Sequence, residues 1–404
     1  MKRERLSISE RGINMPSSAM RKLVPYAEEA QARGMTVIPL NIGQPDIETP
    51  PVFWEAVREF PERVLAYGPS AGRQECREGV VAYYSHLDID LKPEHLIITT
   101  AGSEAVLFAL LAVGDPGDEI IVPEPFYSNY ASMIQMAGMK LVPFTTYAQH
   151  GYHLPEREVI ERLVTERTRA ILYASPGNPT GVVYTREEIA MLGDIARSHG
   201  LFVMADEVYR EFSYDGQIAA SLLHTPGLEE HAIVLDSVSK RYSACGARVG
   251  CLITRNEALM AAIMKMAMSR LSAPVLEQAG IAACLHLPPD NFTPIRETYT
   301  RRRDLVFERL NQMEGVFCPK PAGAFYVMPT LEGIETEPFA RWLLTDFEQG
   351  GETVLVAPGA GFYWTPGLGR DKIRIAYVLN TDRLARAMDL LEVAIHRYRE
   401  EEGS

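Results

Sequence analysis

Between residues 96 and 254 the chain alternates short apolar runs with longer segments of helical period, and this alternation restricts the possible folds more than any other feature. The runs cover residues 96–100, 119–122, 140–143, 170–174, 202–205, 232–235 and 250–254. Short apolar strands separated by helices argue for a sheet covered on both faces. The expected fold class is therefore α/β, with a mostly parallel seven-stranded sheet between helical layers. In open sheets of this kind ligands bind beyond the carboxyl ends of the strands. Gly102 follows the first run, Ser175 the fourth, Asp206 the fifth and Ser237 the sixth, so residues with chemistry collect at that edge.

At 404 residues the chain exceeds the range over which one core keeps growing, and two unequal lobes are expected. Residues 51–290 make the large domain. Residues 1–50 and 291–404 make a smaller α+β domain built from both chain ends. Its signals are an amphipathic stretch at 19–33, a charged helix through Arg301-Arg302-Arg303, short strands around 324–327, 354–357 and 372–377, and a closing helix from Asp382 to about Arg399. A formal net charge of −13 disfavours nucleic acid and anionic lipid as partners. The basic start, Met1-Lys2-Arg3-Glu4-Arg5, leads into no apolar signal segment, and no apolar run reaches membrane-spanning length. A cytoplasmic protein is the expectation. The five cysteines show no Cys-x-x-Cys spacing, which suggests neither a disulfide framework nor a metal site.

Six short motifs carry the chemistry: Asn41-Ile42-Gly43-Gln44-Pro45-Asp46, Tyr67-Gly68-Pro69-Ser70-Ala71-Gly72, Ser175-Pro176-Gly177-Asn178-Pro179-Thr180-Gly181, Ala205-Asp206-Glu207-Val208-Tyr209, Ser237-Val238-Ser239-Lys240 and Lys372-Ile373-Arg374-Ile375. Lys240 follows a strand and two serines and precedes Tyr242, Ala244 and Cys245, poor surroundings for a solvated lysine. Asp206 ends an apolar run, where a carboxylate either caps the next helix or meets a buried cation. Gly102-Ser103-Glu104 opens a helix beginning near Ala105; such a terminus accepts phosphate or is an ordinary cap. Arg374 interrupts an apolar strand, as a solvent-facing edge residue or as a fork for a carboxylate. An amine, a buried carboxylate and a phosphate site, with Arg248 following Lys240, describe a pocket for pyridoxal 5'-phosphate.

In these motifs, from about residue 42 to about residue 378, the chain resembles the class I aminotransferases of the fold-type I pyridoxal-phosphate superfamily, most closely their aspartate aminotransferase branch. The resemblance implies that Lys240 holds the cofactor aldehyde as a Schiff base and carries the Cα proton, that Asp206 keeps the ring nitrogen protonated, and that Tyr209 and Asn178 hydrogen-bond the phenolate oxygen. It implies that Gly102, Ser103, Glu104, Ser237 and Arg248 serve the phosphate and that Tyr127 stacks on the ring, with Phe126 and Tyr130 as alternatives. Tyr67 would reach the phosphate of a neighbouring subunit, which requires a homodimer with shared sites. Gly43, Asn178 and Arg374 would bind substrate, with Arg374 gripping the α-carboxylate. The implied reaction moves an amino group from an L-amino acid to a 2-oxo acid by a ping-pong route, with aspartate and 2-oxoglutarate as the expected pair.

Glu104 departs from relatives in which a lysine at that position reads a distal carboxylate, leaving Lys22, Arg73 and Arg241 as unassigned cations. Aromatic, alanine and prephenate-type substrates stay open, as does a carbon-sulfur β-lyase on the same fold. An effector domain of a transcription regulator fits poorly. That arrangement needs a basic DNA-binding module, and only about 40 residues without a recognition-helix pattern precede the first motif.

Overall fold

The computed structural model describes residues 8–16 and 21–402 of the chain. After β1 (Thr36–Pro39) come seven strands of one sheet: β2 (Leu96–Thr100), β3 (Glu119–Glu124), β4 (Lys140–Thr145), β5 (Thr168–Ala174), β6 (Phe202–Asp206), β7 (Ala232–Ser237) and β8 (Val249–Ile253). Their order is β2-β8-β7-β6-β5-β3-β4. Neighbours from β7 through β4 are parallel, and β8 runs antiparallel to both β2 and β7. The seven apolar runs are thus the seven strands.

The runs are apolar throughout because both faces are covered. Ile98, Ile121, Ile171, Val203, Val234 and Ile253 pack into one core. Their sequence neighbours Ile97, Ile120, Leu172, Met204, Ile233 and Leu252 pack into another on the opposite face. Alternate side chains of a strand point to opposite faces, so each residue pair feeds both layers. Helices Gln74–Ser85, Arg186–His199 and Val275–Leu285 supply the first layer, and Ala101–Val113, Asn129–Met136 and Glu257–Arg270 the second.

The second lobe carries β9 (Val316–Phe317), β10 (Tyr326–Val327), β11 (Thr330–Leu331), β12 (Glu352–Leu355), β13 (Ala357–Pro358) and β14 (Ile373–Ala376). Parallel pairing of β1 with β12 ties the beginning of the chain to its last third. Leu23, Ala27, Ile38 and Leu40 share a core with Val306, Leu310, Phe339, Leu343 and Leu391. Tyr209, Phe212 and Tyr214, from the connection after β6, insert into this same core. That connection therefore joins the two packing units. No described helix is long and apolar enough to cross a membrane.

One local feature differs from the sequence expectation, and a second excludes the solvent-facing alternative for Arg374. The helix expected near Ala105 starts at Ala101, which adopts φ +61° so that the chain turns directly from β2 into the helix. Gly250 on β8 permits this approach, since a Cβ there would lie 2.6 Å from the Ala101 carbonyl carbon and 2.8 Å from the Gly102 nitrogen. Strand β14 is central rather than an edge, lying between β10 and β13, and Arg374 on it is only 2% exposed.

Candidate active site

A cavity of about 1000 Å³ opens at the carboxyl ends of β2, β5, β6 and β7, and the second lobe forms its other wall. Lys240 reaches it from the short helix Val238–Arg241, whose N-cap Ser237 accepts the Ser239 amide. Its Nζ donates to the Gly43 carbonyl at 2.8 Å. A Cβ on Gly43 would lie 1.8 Å from the Tyr326 hydroxyl, so glycine lets this backbone pass close enough to meet the lysine.

Asp206 is the last residue of β6 and faces the same space. Its Oδ2 accepts from the Tyr130 hydroxyl at 2.5 Å and its Oδ1 from the Val208 amide at 3.2 Å. Burial pushes its pKa up to about 6, with those two donors opposing the rise. Burial also raises the Tyr130 phenol well above its ordinary range, which keeps it a donor. On the second-lobe wall the Tyr209 and Tyr326 hydroxyls meet at 2.8 Å. Arg374 lies between the rings of Tyr326 and Phe362, 4.6 and 4.8 Å from their centroids. It donates to Asn178 Oδ1 at 3.0 Å and to the Asn41 carbonyl. Because a guanidinium only donates, Asn178 must turn its oxygen to Arg374 and present its amide nitrogen as a donor.

At the opposite end, Ala101, Gly102, Ser103, Ser237, Ser239 and Arg248 line the cavity. The first turn of helix Ala101–Val113 offers backbone N–H groups that have no partner within the helix. Arg248, exposed and at φ +54°, donates to the Cys245 carbonyl at 3.1 Å. Tyr127 forms part of the wall and packs edge-on against Tyr130 with centroids 5.4 Å apart.

Two candidates lie elsewhere. The Glu104 carboxylate turns away from the cavity, accepting the Thr100 amide at 2.7 Å and pairing with Arg270 at 3.4 Å. The early helix start explains this: Glu104 lies in the first turn, where its side chain folds back onto the amide preceding the helix. Tyr67 is 81% exposed and does not line the cavity of its own chain. Of the unassigned cations, Arg73 pairs with Glu62 and Glu75, and Arg241 is buried against Asp236 at 2.6 Å. Lys22 lies on the cavity wall beside Arg21.

Residues 35–391 match the family described as aminotransferase class I and II. The chain belongs to that family. A putative aminotransferase of Bacillus subtilis is 33% identical over 89% of this chain and 92% of its own. Aromatic-amino-acid aminotransferase 2 of Thermococcus litoralis is 31% identical over 96% of this chain and 98% of its own. Among solved structures, a single mutant of Thermus thermophilus aspartate aminotransferase superposes with a TM-score of 0.88 at 29% identity, covering 96% of this chain and all of that one. This aminotransferase has the fold-type I architecture, and its cavity fits pyridoxal phosphate chemically. A lysine amine, a buried carboxylate of raised pKa and a cluster of hydroxyls, amides and one guanidinium are chemically suited to an aldehyde, a pyridinium and a phosphate.

Sequence reasoning passed over Tyr326, Tyr130 as a partner of Asp206, the Asn41 carbonyl, and Ser239 and Cys245 beside Lys240. Asn41 and Ser239 lie within quoted motifs and Cys245 shortly follows Lys240, but nothing in the motifs marks their contacts. Tyr326 had no local signal, because an aromatic on an apolar strand reads as core until its partner is seen.

Proposed function

We propose that this aminotransferase holds pyridoxal phosphate on Lys240 and transfers the amino group of aspartate to 2-oxoglutarate by a ping-pong route. The observation that carries this reading is the convergence of Lys240, Asp206 and Arg374 on one cavity. When bound, the cofactor supplies a sink for the electron pair left at Cα after its proton departs. Arg374 grips the substrate α-carboxylate in a planar fork, and Asn178 keeps that fork in place. Lys240 takes the proton from Cα and later returns it to the cofactor's aldehyde carbon. Asp206 holds a proton at the ring nitrogen, and the amide of Asn178 and the hydroxyl of Tyr209 donate to the phenolate oxygen. Gly102, Ser103, Ser237, Ser239 and Arg248 bind the phosphate, with Tyr127 against the ring.

A dicarboxylate is supported by Lys22. Its contact with Glu337 is a loose 3.7 Å pair between exposed side chains, so the ammonium can exchange that partner for a distal carboxylate at low cost. Tyr363 and Trp364 on the same cavity favour an aromatic donor as the second reading. The active unit is a cytoplasmic homodimer in which Tyr67 completes the neighbour's phosphate site. Support comes from Val64, Leu65, Tyr67, Met268 and Leu271, all large and exposed on one chain, with loop residue Ser70 held by Arg270 at 3.3 Å.

A panel of amino acids offered with 2-oxoglutarate or oxaloacetate tests the reading through the absorption of the bound cofactor. Aspartate should convert the spectrum and 2-oxoglutarate should restore it. Conversion by phenylalanine but not aspartate would select the aromatic reading. Continuous ammonia release without an acceptor would make the protein a lyase.

A further inference from the structure

Of the five cysteines, Cys76, Cys251, Cys284 and Cys318 are buried, and burial raises all four thiols, Cys76 and Cys284 to about 12. Cys245 alone lines the cavity, with its sulfur 3.7 Å from Lys240 Nζ and 3.1 Å from the Ser239 carbonyl oxygen. A carbonyl only accepts, so the thiol hydrogen goes to Ser239 and sulfur lone pairs are left to face the amine. The amine's other hydrogen-bond partner, the Gly43 carbonyl at 2.8 Å, is likewise an acceptor, and the Phe325 ring lies 6.0 Å away.

A neutral amine has two N–H bonds and one lone pair. We infer that Cys245 is a positioning residue: its sulfur and the Gly43 carbonyl take both N–H bonds of free Lys240 and leave the lone pair as the one direction open to an incoming proton or carbonyl carbon. The lysine must be neutral and correctly turned at the moment it accepts the Cα proton, and a flexible four-carbon stem does not ensure this. Gly43 belongs to the segment that leads from β1, whereas Cys245 follows Lys240 on the large lobe, so the amine is held from both walls.

The inference rests on Lys240 being the proton carrier of the proposed function, and its test separates the two. The full chain, stripped of cofactor, is mixed with pyridoxal phosphate, and the growth of the bound-cofactor absorption is followed in the parent, Cys245→Ala and Cys245→Ser proteins. Cys245→Ala should capture about threefold to tenfold more slowly, the size of one weak hydrogen bond. Cys245→Ser, which keeps an acceptor and a donor, should restore the rate to within about twofold. In loaded enzyme the alanine variant should lose kcat with little change in KM, and a Cα-deuterated amino acid should show a larger isotope effect than in the parent. Treating the stripped parent with methyl methanethiosulfonate, which caps the thiol as a mixed disulfide and releases methanesulfinate, should slow capture similarly, and dithiothreitol should reverse it. This arm does not depend on a variant folding. Parental capture rates in both the alanine variant and the capped protein would overturn the inference, as would a serine variant as slow as alanine. A parent that never binds the cofactor would instead sink the proposed function.

Discussion

Asp206 shows how one side chain's surroundings become a measurable property. Its carboxyl titrates near pH 6 in the folded chain against an ordinary 3.8, because burial disfavours the ionised form. A raised carboxyl pKa means that the folded state binds more protons than the unfolded state between those values, so the stability of the cofactor-free protein is lost as pH rises from about 4 to about 6. The full penalty, at most about 3 kcal/mol, applies above that window. Asp206→Asn should therefore raise the melting temperature of the stripped protein at pH 7.5 and change it far less at pH 4, while lowering turnover of the loaded enzyme severely. An equal gain at both pH values would remove burial of charge as the cause. Arg374 gives a second residue-scale test. The α-carboxylate is common to every substrate, so Arg374→Lys should reduce kcat/KM by about 10- to 100-fold across an amino acid panel. A loss confined to dicarboxylates would assign Arg374 to the distal group instead.

At the scale of elements, the lysine-bearing turn is anchored from beneath by a buried ion pair. Asp236 on β7 meets Arg241, one residue after Lys240, at 2.6 Å with both side chains 2% exposed. Arg241 stacks over the Tyr83 ring at 3.8 Å, and the Tyr84 hydroxyl donates to Asp236 at 3.1 Å. Removing one partner strands the other charge, so Arg241→Met should destabilise the protein by about 3 to 5 kcal/mol in urea unfolding. Arg241→Met combined with Asp236→Leu should cost less than the single change, and a double variant at least as destabilised as Arg241→Met would remove the stranded charge as the cause. The motif pointed to Lys240 but said nothing of this support, since Tyr83, Tyr84 and Asp236 carry no signal that they meet Arg241. The start of helix Ala101–Val113 was misplaced for a similar reason. A left-handed Ala101 has no sequence marker, and the helix begins there because Gly250, distant in the chain, lets it settle against β8.

For the whole molecule, the decisive arrangement is a sheet with a core on each face and a second lobe with its own core, joined through the connection after β6, with the cavity between the sheet edge and the second lobe. The proposed dimer adds a test at this scale. Inactive Tyr67→Phe and Lys240→Ala subunits, once exchanged, should regain partial activity, because one site of each mixed dimer receives both intact residues. Failure after demonstrated exchange would confine Tyr67 to its own subunit. The sequence alone determined the seven strands, their two-sided burial and the strand-end position of Lys240 and Asp206, because strand runs and adjacent motifs are local and repeat every few residues. Only the tertiary structure decided that β8 runs against its neighbours, that Arg374 is central and held by Asn178, that Glu104 turns away to Arg270, and that Cys245 and Gly43 flank the lysine. Most of these are contacts between segments far apart in the chain, and even the short-range approach of Cys245 to Lys240 takes its geometry from how the chain folds around the cavity, which no local pattern encodes.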